Sequence, residues 1–270
     1  WRAPVPVICC GNAGAGGAGK TTLALDLGAR LAARGLAVAF LTRGYGGRES
    51  GLVTGDDAAR FGDEALLLAA AAPTYAGADR AASARQAVAD GAQVLVMDDG
   101  LQNPTLAKTL SLLVIDGEAG FGNGRMIPAG PLREPVAAAA GRCGAAVLIG
   151  ADRTGALAQL PPGLPVLRAG LRARTVAGAG PVLAFAGIGR PEKFAETLRA
   201  AGVVVAGLRG FPDHHRFTDA EAAELLSAAK SGGLRLVTTD KDMARLAGRS
   251  GPVGELREAA REEGIAVFAR

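Results

Sequence analysis

The sequence predicts an α/β protein, with a mostly parallel sheet covered by helices on both faces over residues 1–150 and a smaller α/β unit over 151–270. Three observations predict it. Short, continuous apolar runs alternate with longer segments of helical spacing, the pattern of parallel strands buried on both faces. A glycine-rich loop joins the first apolar run to the first helical segment. Beyond residue 150 the texture becomes rich in Pro and Gly before a second set of runs begins.

The predicted strands of the first unit are PVPVICCG (4–11), LAVAFLTRG (36–44), QVLVMDDG (93–100), LSLLVIDG (110–117) and AAVLIG (145–150). Between the first two lies KTTLALDLGARLAARG, with apolar residues at helical spacing and Gly35 as its stop. Strand, helix, strand in that order implies a right-handed parallel crossover. The stretch VAAAA (136–140) reads as a core helix. Residues 160–181, LPPGLPVLRAGLRARTVAGAGP, read as linker or short β segments. In the second unit, apolar runs at 181–189, 203–211 and 234–239 flank helices over PEKFAETLRAAG and DAEAAELLSAAKSGG.

Composition narrows the class. With 270 residues, 49% of them hydrophobic, the chain has ample core and is not disordered. Its net charge of +4 rests on 25 arginines against 5 lysines. That bias reflects either the base composition of the coding DNA or a surface that meets phosphates or acidic lipids; no nucleic-acid partner is expected. Cys9, Cys10 and Cys143 form no metal spacing, and the first two read as buried strand residues of a protein in a reducing compartment. No run is long and apolar enough to predict a membrane-spanning helix. The chain opens on Trp1 rather than Met, and native residues are expected ahead of it.

Residues 14–21, GAGGAGKT, fit G-x-x-x-x-G-K-[ST] at every fixed position, with a strand before and a helix after. Gly14, Ala15, Gly16, Gly17, Ala18 and Gly19 let the backbone curl so that its N–H groups face phosphate oxygens. The helix beginning at Lys20, with Thr22 in its first turn, adds a positive end. Lys20 is placed to reach the β- and γ-phosphates and the Thr21 hydroxyl to ligate Mg²⁺. The expectation is a P-loop NTPase-type fold that binds ATP. VLVMDDG then supplies Asp98 and Asp99 at a strand end, suited to hold Mg²⁺ or to position a nucleophile. Asp63 and Glu64 precede a helical run, and either cap it or do chemistry. His214 and His215, the chain's two histidines, abut Asp213 and form a polar cluster expected to be functional.

In order along the chain, VPVICCGNAGAGGAGKT, LTRGYGG, GDEALLLA, DDGLQNPTLAKTLSLLVIDGEAGFGNGRMIPAGPLREP, FAGIGRPEKF, GFPDHHRFT and VTTDKDMARL resemble the tetraacyldisaccharide 4'-kinases of lipid A synthesis. The resemblance runs from Pro4 to about Leu246. It implies phosphorylation, by ATP with Mg²⁺, of the 4'-hydroxyl of a tetraacylated disaccharide 1-phosphate. It also implies a peripheral or N-terminally anchored place on the cytoplasmic face of a bacterial inner membrane. By the same resemblance Asp63 and a histidine, matched to His214 with His215 left open, form the catalytic pair. Lys20 and Asp99 join them in catalysis, and Thr21, Asp98, Asp99 and Glu134 contact the metal.

The sequence departs from that family's usual pattern at Ala18 for Thr, Thr22 for Pro and Asn103 for His. The family's hydrophobic N-terminal helix is absent from the residues present. Arg43, Arg125 and Arg133 sit in Gly- or Pro-rich loops after strands, where α/β sheets bind ligands; with Asn103 they are the candidate contacts to the acceptor. The GGAGKTT loop also fits a second class, a partitioning-type ATPase switch. Such switches carry an extra lysine near the loop's start, where this chain has Ala15.

Overall fold

The structure, a computed structural model, describes residues 1–55, 57–173, 180–261 and 267–269. The first unit runs β1 (Val7–Gly11), α1 (Lys20–Ala32), β2 (Val38–Thr42), β3 (Gly51–Leu52), α2 (Ala58–Phe61), α3 (Asp63–Ala69), β4 (Thr74–Ala76), α4 (Arg80–Ala89), β5 (Val94–Asp98), β6 (Leu110–Asp116), α5 (Val136–Ala140), β7 (Ala145–Ile149) and β8 (Val166–Ala169). The second holds β10 (Val182–Ala186), α6 (Pro191–Ala200), β11 (Val205–Gly210), α7 (Asp219–Gly232), β12 (Arg235–Val237), α8 (Asp240–Leu246) and α9 (Gly251–Arg261), while β9 (Leu171–Ala173) and β13 (Val267–Ala269) pair antiparallel against α1.

The large sheet has the order β3-β4-β2-β5-β1-β6-β7-β8, parallel throughout except for the antiparallel pair β3–β4. Alternate residues of one strand feed opposite cores. Cys9 of β1, Leu41, Met97 and Leu113 pack on one face; Cys10, Phe40, Val96 and Leu112 pack on the other. This double burial is why the strands read as unbroken apolar runs. Burial pushes the Cys9 thiol up to about 12, so it is a packing residue rather than a nucleophile. The chain leaves β1 toward β2 on one side and returns through β5 to β6 on the other. Strand order therefore reverses at the carboxyl end of β1, where α/β sheets place ligands.

The expected division at residue 150 falls inside this sheet, because β8 pairs with β7 in parallel register through Ala169. The strand falls in the Pro- and Gly-rich stretch that reads as linker or short β segments, and it lies at an edge, mostly exposed, without the apolar run of its neighbours. Residues 174–179 of that stretch lie outside the described residues. The second unit is a three-stranded parallel sheet, β11-β10-β12, flanked by helices and built on Phe185, Phe217, Leu225 and Leu256 on one side and Phe194 and Leu198 on the other. Among the described residues no helix is long and apolar enough to cross a membrane.

Candidate active site

The glycine loop follows β1 and is braced from the side. Ala15 N–H donates to Pro131 O at 2.7 Å, and Arg133 N–H donates to Ala13 O at 2.8 Å. The segment GNGRMIPAGPLREP, which contains the cis Ile127–Pro128 bond, thus forms the wall of the loop. Gly16 and Gly17 are exposed, and a methyl group built on either would meet nothing within 4 Å, so the loop backbone is open to a ligand. The first turn of α1 has neither a capping side chain nor an acidic residue. Its N–H groups and positive end are left for an anion. Lys20 Nζ donates to Gly16 O at 3.2 Å and lies 3.7 Å from Asp99 Oδ1.

The metal question turns on Asp98. It ends β5, is fully buried, and accepts from Thr21 Oγ1 at 2.8 Å through Oδ2. Its Oδ1 is also buried and has no hydrogen-bond partner among the described residues. Burial first, then the charge of Glu64, pushes the Asp98 carboxyl up to about 7. An orphaned carboxylate oxygen beside a hydroxyl, at the mouth of a phosphate cradle, fits a hard divalent cation. The residues present therefore fit Mg²⁺, held by Thr21 and Asp98. Asp99 adopts φ +47° and turns to the cations instead, accepting from Arg133 Nη1 at 2.9 and 3.0 Å. Neighbouring aspartates thus divide their roles.

Asp63 opens α3 and is placed by a tight backbone crossing. Gly62 has φ +88°, and a Cβ there would lie 2.3 Å from Tyr45 O. The LTRGYGG loop and the GDE turn therefore interlock. Gly62→Ala is expected to cost about 1–3 kcal/mol through that strained conformation alone. Its melting temperature and kcat should fall together, as thermal unfolding and steady-state assays would read.

Asp63 is buried and meets the second unit. His214 Nδ1 lies 3.2 Å from its Oδ2, while Arg245 approaches the same oxygen with Nε at 2.7 Å and Nη2 at 2.6 Å. Burial alone would raise the Asp63 pKa, but Arg245, His214 and Lys241 together bring it below the usual carboxylate range. Beside it, Lys241 Nζ donates to Glu64 Oε1 at 2.6 Å. Burial pulls the Lys241 pKa down, and the Glu64 charge outweighs it, so the ammonium is held above its ordinary value.

The histidine pair separates. His214, at φ +58° and with N–H donating to Gly187 O, meets Asp63. His215 stacks on Phe211 and meets both oxygens of Glu221 at 3.0 Å, which ties it to the capping box of α7. Other expected site residues are engaged differently. Glu134 accepts from Arg142 through both oxygens, at 2.6 and 2.7 Å, and from Gln102. Asn103 folds onto Thr105, accepting from its N–H and hydroxyl, and holds a turn. Arg133 sits on Asp99. Arg43 and Arg125 are exposed.

Arg245 and Lys241 were not singled out from the sequence. Their helical spacing in DKDMARL matches an ordinary solvated face; the one available signal was their density of charge directly after the apolar strand β12.

A phosphate cradle at the switch point, together with a carboxylate and an imidazole that meet across the two units, fits the class of P-loop kinases rather than that of nucleotide switches. Ala15, where a partitioning ATPase carries lysine, only braces the loop. The chain belongs to the LpxK family, tetraacyldisaccharide-1-P 4'-kinase, whose profile matches residues 1–262. It is 59% identical over 253 residues to the tetraacyldisaccharide 4'-kinase of Gluconacetobacter diazotrophicus, covering 91% of this chain and 77% of that protein. The enzyme of the same name from Parvibaculum lavamentivorans is 54% identical over 254 residues, with coverage of 91% and 74%. A crystal structure of LpxK from Aquifex aeolicus in complex with ATP superposes with a TM-score of 0.72 at 26% identity, over all of this chain and 84% of that one.

Proposed function

We propose that this chain transfers the γ-phosphoryl group of ATP to the 4'-hydroxyl of a tetraacyldisaccharide 1-phosphate, with Asp63 as the base. The observation that carries the reading is the buried carboxylate of Asp63, held by Arg245 and His214 of the second unit, beside Glu64, whose charge bears on Asp98 below the phosphate loop. The loop N–H groups and Lys20 hold the β- and γ-phosphates. The acceptor oxygen attacks the γ-phosphorus as the bond to the β,γ-bridging oxygen breaks, and the hydroxyl proton passes to Asp63. His214, donating through Nδ1 to Oδ2, orients that carboxylate. Lys20 and Arg133, both on Asp99, keep positive charge where the transferring group becomes most anionic. Mg²⁺, when bound at Thr21 and Asp98, supplies charge neutralisation across the phosphates.

The acceptor's acyl chains lie in a bilayer. Exposed Arg43 and Arg125, with Met126 and Ile127 half-exposed on the loop that walls the cradle, support a peripheral seat on the cytoplasmic face of an inner membrane. The reading is tested by ADP release with and without tetraacyldisaccharide 1-phosphate dispersed in detergent. Release that depends on the acceptor supports it, whereas slow release indifferent to the acceptor contradicts it.

A pH dependence follows from Asp98. Because a cation at its carboxylate displaces the proton, Mg²⁺ affinity should rise as pH climbs from about 6 to about 8. The thermal shift produced by Mg²⁺ alone is therefore expected to be larger at the higher pH. Equal shifts at both would remove Asp98 from the metal site.

A further inference from the structure

Arg245 lies on α8, in the second unit, with a side chain 5% exposed. Its guanidinium is forked. Nε and Nη2 take Asp63 Oδ2 in the first unit, while Nη1 takes Asp242 Oδ1 at 2.7 Å and Gly187 O in its own unit. Gly187 is a junction: its N–H donates to Asp242 Oδ2 at 3.1 Å, and its carbonyl also accepts the His214 N–H. Asp242 is fully buried and is held further by Thr239 Oγ1 at 2.6 Å. One side chain thus ties the acidic turn of the first unit to the turn that carries the imidazole.

The consequence lies in the two oxygens of Asp63. Oδ2 meets three nitrogens, two from Arg245 and one from His214. Oδ1 accepts, among the described residues, the Glu64 backbone N–H at 3.0 Å. A carboxylate oxygen has room for about two good donors, so Oδ2 is saturated and Oδ1 keeps a free lone pair. We propose that Arg245 is a positioning residue that occupies Asp63 Oδ2, leaves Oδ1 as the oxygen that receives the acceptor's proton, and sets His214 at its distance from that carboxylate. The proposal rests on Asp63 being the base.

A lysine at 245 would preserve the charge without the fork, so it could not hold Asp63, Asp242 and Gly187 together. Around Asp63, α8 presents Arg245, Lys241 and Asp242, and the loop after β11 presents His214. Of the other helices packed on α3, α1 holds Lys20 on Gly16 and α2 holds Arg60 on Glu49. Removing Arg245 therefore removes the cation bonded directly to Asp63, and leaves Lys241 paired to Glu64.

The test is the pH profile of kcat for the full chain, with saturating ATP, Mg²⁺ and acceptor, in Arg245→Gln and Arg245→Lys beside Asp63→Asn. For Arg245→Gln, kcat is expected to fall by about 10- to 100-fold, KM for ATP to stay unchanged, and the acid limb to move to higher pH. Arg245→Lys should return the acid limb toward the wild-type position without restoring kcat. A merely structural role would lower the melting temperature and leave the acid limb in place, which overturns the proposal, as does wild-type kcat in either variant. Should Arg245→Gln fail to fold, Arg245→Lys decides: reduced kcat with a wild-type acid limb and a wild-type melting temperature supports the proposal, whereas reduced kcat with a lowered melting temperature, or wild-type kcat, ends it. The two readings fail separately. Full turnover in Asp63→Asn removes the base itself, whereas a dead Asp63→Asn beside an unaltered Arg245→Gln removes only the role of Arg245.

Discussion

Asp63→Asn is expected to lower kcat by about 10³-fold while ATP binding stays near wild type, within the range for loss of a positioned base. The amide keeps the size of the carboxylate and the bond from Glu64 N–H, but cannot accept a proton from an alcohol. It also presents either an uncharged oxygen or an NH₂ group to Arg245, whose guanidinium is buried between Asp63 and Asp242. Part of the loss should therefore show as lower stability, because a buried cation loses one of its two carboxylates. His214→Ala, which leaves the carboxylate and Arg245 in place, should cost less, about 10- to 100-fold. Steady-state kinetics with acceptor varied at saturating ATP, paired with calorimetric titration of ATP, separates chemistry from binding. Near-wild-type kcat in Asp63→Asn would remove it from the reaction.

Lys20→Met is expected to reduce kcat/KM by about 10²- to 10³-fold, the scale for deleting one preorganised donor to a transferring group. Two consequences add. The γ-phosphate loses its ammonium, and Asp99 loses one of the two cations beside it, keeping Arg133. Unlike Asp63→Asn, this change should weaken ATP binding as well, because Lys20 meets the phosphates before the reaction as well as during it. Calorimetry on the purified variant checks that contrast. Unaltered ATP affinity together with unaltered turnover would mean that the loop does not hold the triphosphate.

Much of the frame was readable from residues alone. Continuous apolar runs betrayed β1, β2, β5, β6 and β7 because each is buried on both faces. β3 and β4 were not readable, because two or three residues carry no period, whereas β8, exposed at the edge, was readable only as part of a stretch of linker or short β segments. The phosphate loop, Thr21 and Asp98 were legible because backbone curvature and metal binding demand particular residues at fixed spacing. Asp63 was less so, since an acid at a helix start also serves as a cap, and it was the family resemblance that joined it to His214. Choosing between His214 and His215 needed three dimensions, where Phe211 and Glu221 take one and Asp63 meets the other. Glu134 was placed at the metal by the family resemblance alone, and its pairing with Arg142, eight residues on, showed only in three dimensions. Arg245 was missed for the same reason: a buried arginine and a solvated one look alike until their partners arrive from 182 residues away.

The position of the transferred phosphate is the most direct test of the central claim, that a triphosphate seated on the glycine loop is delivered to a sugar alcohol deprotonated by Asp63. Incubation of the purified chain with ATP, Mg²⁺ and tetraacyldisaccharide 1-phosphate, followed by ³¹P–¹H correlation of the product, should show a new phosphomonoester coupled to the proton at the 4' carbon. A product phosphorylated elsewhere, or inorganic phosphate alone, would contradict it.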